Sequence, residues 1–95
     1  MEEEEPLSDE KFVAPTIYPN PAEHILNVSF EESDVKGDVM IDILDGGGML
    51  IHRTYYNEAH GTRIQLSLQD LPVGMYMLRM QTEKGTVQTQ RFIKQ

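Results

Sequence analysis

The residues most able to do chemistry in this 95-residue chain are three histidines, His24, His52 and His60, and a scattering of acids. The histidines share no metal-ligand spacing, and no cysteine is present to join them. Asp42 and Asp45 stand beside Gly46-Gly47-Gly48, but the alternating oxygen ligands and distal glutamate of a calcium loop are missing. The same glycines could cradle a phosphate, yet no Gly-Lys-Ser or Gly-Lys-Thr follows. A nucleophilic serine on a Gly-x-Ser-x-Gly elbow is absent. Asn27-Val28-Ser29 spells a glycosylation sequon inside a segment that reads as a strand. No constellation points to catalysis, and neither a metal nor a cofactor is expected.

The elements that would position any site are strands. Leu26, Val28 and Phe30 alternate with polar residues, as do Ile64, Leu66 and Leu68. Val39, Ile41 and Ile43 alternate with Met40, Asp42 and Leu44, and Tyr76, Leu78 and Met80 form another inward set. Asp45 to Gly48 marks a tight reversal, because glycine tolerates positive φ. The returning strand, Met49 to Tyr55, is expected to point Ile51 and Tyr55 inward. Glu83-Lys84-Gly85 reads as a hairpin turn. Val87 and Phe92 fall on opposite parities, so a bulge is expected in the last strand. No helical period is sustained. About seven short strands with regular turns argue for an all-β, immunoglobulin-like antiparallel sandwich.

Length and charge narrow the function classes. A chain this short makes one domain, burying roughly two-thirds of its unfolded surface. The formal charge is −8, and it is lopsided. Residues 1–38 hold eleven acids against two bases, and residues 39–95 five acids against six bases. No basic stripe exists to neutralise phosphates, so nucleic acid is not an expected partner. Residues 1–14 lack periodicity and read as an acidic linker or tail, with the folded domain over 15–95. The start, Met1-Glu2-Glu3-Glu4-Glu5, has neither the basic nor the apolar region of a secretory signal. The chain is expected to be a fragment of a longer precursor.

Three short signatures remain. In Tyr18-Pro19-Asn20-Pro21 each proline fixes its own φ and pushes the preceding residue toward extended backbone. An extended segment entering a strand is expected there. Leu71-Pro72-Val73-Gly74-Met75-Tyr76 resembles the tyrosine corner of immunoglobulin-like sandwiches, in which a tyrosine hydroxyl bonds back to upstream backbone. Leu71 would plug the core, Gly74 permit the bend and Tyr76 pin it. The third signature is Arg91-Phe92-Ile93-Lys94-Gln95, end residues expected to contribute little to the core beyond some packing from Phe92 and Ile93.

In order and spacing, these pieces resemble the type A C-terminal sorting domain of cargo of the bacterial type IX secretion system, found in Bacteroidota. The resemblance runs from about Thr16 to Gln95. It matches Tyr18, Pro19, Asn20 and Pro21 at the start, then Val39 to Asp45 with Gly48. It continues through Ile64 to Leu66, Leu71, Gly74 and Tyr76, and ends on Arg91, Phe92, Ile93 and Lys94. Met49 replaces a residue that is often basic in the family, and Arg91 stands where lysine is commoner. The resemblance implies a non-catalytic export signal, folding in the periplasm behind an N-terminal cargo domain. It implies recognition by translocon components at the outer membrane and display at the cell surface or release. It also implies removal by a sortase-like cysteine protease that cuts upstream of Tyr18. The alternative is a generic immunoglobulin-like spacer or glycan-binding accessory module, which exposed aromatics on one sheet face would favour.

Overall fold

In the computed structural model, residues 15–30, 37–57, 63–83, 85 and 87–95 are described. The linker assigned to residues 1–14, His60 and Lys84 lie outside them. The described residues form seven strands: β1 (Thr16–Tyr18), β2 (Ile25–Ser29), β3 (Val39–Asp45), β4 (Leu50–Tyr56), β5 (Arg63–Ser67), β6 (Gly74–Thr82) and β7 (Val87–Lys94). They make two sheets, β1-β2-β5 and β4-β3-β6-β7, with every strand pair antiparallel. This is the expected seven-strand, immunoglobulin-like β-sandwich.

The two-residue period sets which side chains meet between the sheets, because successive strand residues point to opposite faces. Leu26, Val28, Phe30, Ile64, Leu66 and Leu68 are buried from one sheet. Val39, Ile41, Ile43, Tyr76, Leu78, Met80 and Phe92 are buried from the other. All of these belong to one apolar cluster.

Two facing expectations are corrected. Ile51 and Tyr55 do not point inward; they are 42% and 66% exposed. The register puts Arg53 opposite Asp42 and Tyr55 opposite Met40, on the outer face. The inward partners of Ile43, Ile41 and Val39 are His52, Thr54 and Tyr56. Apolar character alone chose the wrong face, because this edge strand carries polar residues inward. The second correction concerns the last strand. Its register with β6 runs unbroken from Gly74↔Lys94 to Gln81↔Val87, so no bulge reconciles Val87 with Phe92. Val87 is simply on the outer face, and Gln88 and Gln90 are half-buried on the inner one. The register shift lies instead between Ile43 and Leu44, where β4 pairs.

The β3–β4 turn is built around Asp45. Its Oδ1 accepts from the amides of Gly47 and Met49, both at 2.9 Å, and its carbonyl accepts from Gly48 at 2.9 Å. Gly48 has φ +90°, which an L side chain rarely adopts. The aspartate beside the glycines therefore organises backbone amides.

Asp42 does different work. It sits mid-strand on the outer face, yet its side chain is fully buried between two arginines. Arg53 on β4 grips it with Nε at 2.7 Å and Nη2 at 3.0 Å. Arg79 on β6 donates from Nη2 at 2.7 Å and Nε at 3.2 Å. The row ties three strands together, and the arginine stems shield the carboxylate. The Arg53 hydrogen bonds, with those of Arg79 and both positive charges, hold the Asp42 carboxyl below the usual carboxylate range against the opposing effect of burial. A folded-state pKa below the unfolded one contributes stability that is complete above about pH 4 and fades as pH falls through the folded value. Asp42→Asn should therefore cost about 1–3 kcal/mol at neutral pH. It should also flatten the acid limb of a urea-melt series run from pH 7 to pH 2; a parallel loss in both proteins would contradict this.

Candidate recognition site

The signatures that stand far apart in sequence converge at one end of the sandwich. The Asp45–Met49 turn, the start of β6 and the end of β7 lie side by side, because Asp45 pairs with Tyr76 and Gly74 with Lys94. Residues 18–22 close over the outer edge of β7 at the same end.

Asn20 makes that closure. Its side-chain Nδ2 donates to the Arg91 carbonyl at 3.3 Å, and its Oδ1 accepts from the Ile93 amide at 2.9 Å. An asparagine amide carries one donor group and one acceptor, so it can imitate a pairing strand. Aspartate lacks the donor. Two residues on, the Ala22 amide donates to the Ile93 carbonyl at 2.8 Å, and Gln95 donates to the Ala22 carbonyl at 2.7 Å. Ala22 and Lys94 thus form a parallel bridge. Further up the strand, Gln90 Nε2 donates to the Pro15 carbonyl.

The expected extended run at Tyr18–Pro21 is not what forms. Both the Tyr18–Pro19 and Asn20–Pro21 peptide bonds are cis, and residues 19–21 bend. Neither proline has an amide hydrogen, so pairing with β7 falls to Asn20 and Ala22. Tyr18 is 38% exposed, and Pro19, Asn20 and Pro21 are also on the surface.

The terminal signature divides by parity. Phe92 is fully buried, its ring stacked on Tyr76 with centroids 5.7 Å apart. Lys94 is also buried, and its Nζ donates to the Gln95 carbonyl at 3.2 Å. Arg91 and Ile93 point outward and are exposed. The core contribution of these residues is therefore larger than expected at Phe92 and Lys94, and smaller at Ile93, which is 42% exposed. A terminal residue escapes the usual fraying when its strand is paired on both sides and its side chain fills the core.

Tyr76 forms the tyrosine corner: its hydroxyl donates to the Pro72 carbonyl at 2.6 Å, and its ring is buried. Leu71 is partly buried and packs on the core cluster. Gly74 starts β6 at φ +159°, and a Cβ there would lie no closer than 4.0 Å to the Tyr76 ring. Gly48 lies in the neighbouring turn; a Cβ on Gly46 there would sit 3.6 Å from the Met75 carbonyl.

Other candidates disperse. Among the described residues no three of His, Asp and Glu are placed to share a metal ion. Asn27 of the sequon lies within β2, with its Nδ2 donating to the Tyr18 carbonyl at 3.2 Å. Sequence reasoning missed the Asp42 row and the Asn20 clamp. The available signals were an aspartate inside an otherwise apolar strand and an asparagine fixed between two prolines.

The fold and this end-to-end closure define a class, a small immunoglobulin-like β-sandwich whose first described segment locks onto its last strand. The family described as "Secretion system C-terminal sorting domain" matches residues 16–95, and the chain belongs to that family. No curated protein matches the chain. Among solved structures, one that is similar is a DUF3244 family protein with an immunoglobulin-like β-sandwich fold from Bacteroides vulgatus. It has a TM-score of 0.70 and 20% identity, over 85% of this chain and 84% of that one. Another is CopC from Methylosinus trichosporium OB3b, with a TM-score of 0.50 and 16% identity, over 84% of this chain and 90% of that one. At these identities the likeness is one of fold.

Burial and bonding set the order of mutational effects. Phe92→Ala opens a cavity in the core and should cost about 3–5 kcal/mol. Tyr76→Phe loses one hydroxyl bond and should cost about 0.5–1.5 kcal/mol. Equal denaturation midpoints for Phe92→Ala and the parent would show that the terminal strand is not part of the core. Asn20→Ala should have a local signature. The Ile93 amide should lose protection in hydrogen exchange while core amides of β3 and β6 keep theirs; unchanged exchange at Ile93 would contradict the clamp.

Proposed function

We propose that this domain directs an attached N-terminal cargo protein through the type IX translocon at the outer membrane. The observation that carries this reading is the convergence of the family's signatures into one surface on a chain that the family covers almost end to end. The domain folds behind its cargo in the periplasm and is read by translocon components in that folded form. The cargo then reaches the cell surface or the medium. A sortase-like cysteine protease cuts in the acidic segment upstream of Tyr18, within residues 1–14, leaving 15–95 as the removed domain. Tyr18, Pro19, Asn20, Pro21, Gly48, Leu71, Gly74, Tyr76, Arg91, Phe92, Ile93 and Lys94 either form the recognised surface or hold it in shape.

The accessory-module alternative gains little support. A glycan-binding platform needs aromatics gathered on one face, and Tyr55 is the sole exposed aromatic on the outer face of the four-stranded sheet among the described residues. Tyr18 belongs to the other sheet.

Export tests the reading directly. Residues 1–95 placed behind a signal peptide and a reporter should carry the reporter to the surface of a type IX-competent cell. Equal display in a translocon-deficient strain would refute it.

A further inference from the structure

The outer face of the four-stranded sheet holds three arginines of unequal standing. Arg53 and Arg79 are committed to Asp42. Arg91 is exposed, and its guanidinium has no ion-pair partner among the described residues. Beside it on β7 is Ile93, 42% exposed, and directly across on β6 is Met75, 43% exposed. These three side chains and Asn20 line a shallow groove of about 530 Å³. Arg91 is thus an uncommitted cation next to two exposed apolar side chains, in a stretch, residues 39–95, whose six bases slightly outnumber its five acids.

We infer that Arg91, Ile93 and Met75 form a docking surface for a protein segment that presents a carboxylate beside an apolar side chain. The inference rests on the sorting reading, in which that segment belongs to the export machinery. A guanidinium donates two parallel N–H bonds to a carboxylate in a fixed geometry, and the apolar pair supplies the water-free contact that gives such a bond its strength. A polyanion or an anionic membrane needs a cluster of cations, and this groove offers Arg91 alone among its lining residues. Asn20 is the positioning residue. It holds the backbone of Arg91 and Ile93 by the carbonyl of one and the amide of the other, so both side chains project from a fixed strand. The inward side chains of Phe92 and Lys94 are buried and maintain the strand. Met75 lies outside the terminal signature and joins the surface only through the β6–β7 register.

The test is an export series with residues 1–95 behind a signal peptide and reporter, paired with melts of the purified chain. Arg91→Glu should keep the parental midpoint and lower surface reporter about tenfold, the effect of losing one good contact. Met75→Ser should lower it severalfold. Arg91→Lys should fall between the parent and Arg91→Glu, because an ammonium keeps the charge and loses the planar fork. Arg63→Glu, which makes the same charge change on the opposite sheet, should stay near the parent. Suppressors of Arg91→Glu should replace an acidic translocon residue with a basic one. Parental export by Arg91→Glu in a strain whose export needs the translocon overturns the docking surface alone. An equal loss for Arg63→Glu overturns it as well, by assigning the effect to net charge. A dimer of the purified chain that Arg91→Glu dissolves would assign the surface to a second copy and overturn it. Retention on vesicles of anionic phospholipid, lost in Arg91→Glu, would assign it to lipid with the same consequence. Display of the parent without the translocon removes the sorting reading and this inference together.

Discussion

The pairing of residues 20–22 with the outer edge of β7 is the constraint on which the candidate recognition end of this domain depends. An edge strand presents a row of unpaired amides and carbonyls, and a chain-terminal edge strand is especially exposed to fraying or to wrong pairing. Here the Asn20 side chain and the Ala22 backbone occupy the edge positions of Arg91, Ile93 and Gln95. The prolines on either side of Asn20 cannot donate backbone bonds, so the segment covers the edge without extending the sheet. The outcome is a domain whose first and last described segments stabilise each other.

A second layer of organisation runs inward from that edge. Phe92 stacks on Tyr76, and Tyr76 bonds to Pro72, so the terminal strand, the corner and the core are mechanically one unit. The Asp42 row ties β4 and β6 to β3 on the outer face of the same sheet. A buried carboxylate is costly unless its charge and lone pairs are met, and two arginines meet them here. The strand that carries the outward Arg91 and Ile93 is therefore held from its free edge by Asn20, from the core by Phe92 and through β6 by the rest of the sheet. Such support fits a surface that must keep its shape while a partner reads it.

In this member of the sorting-domain family the candidate recognition features are matters of shape and surface, and both are made by residues that are individually ordinary. The tyrosine corner, the glycine turn and the terminal strand each have a structural account on their own. They become a candidate site because antiparallel registers place the turn after β3, the start of β6 and the end of β7 together.

Much of this architecture was legible in the chain itself. Alternation at Leu26–Phe30, Val39–Ile43, Ile64–Leu68 and Tyr76–Met80 fixed the strands and their buried faces, because the period of a strand leaves little choice once one face is apolar. Turn chemistry at Asp45–Gly48 and the tyrosine of the corner were equally local. Where the apolar signal was weak or misplaced, sequence reasoning failed. Edge strand β4 carries Ile51 and Tyr55 outward, and β7 needs no bulge because Val87 is outward too. The Asp42 row, the bend at Tyr18–Pro21 and the grip of Asn20 on Arg91 and Ile93 were decided only in three dimensions. The Asp42 row and the Asn20 grip join residues from separate strands or opposite ends of the chain, up to 73 positions apart. A local pattern can say which way a side chain points, but only the register of distant strands says what it meets there.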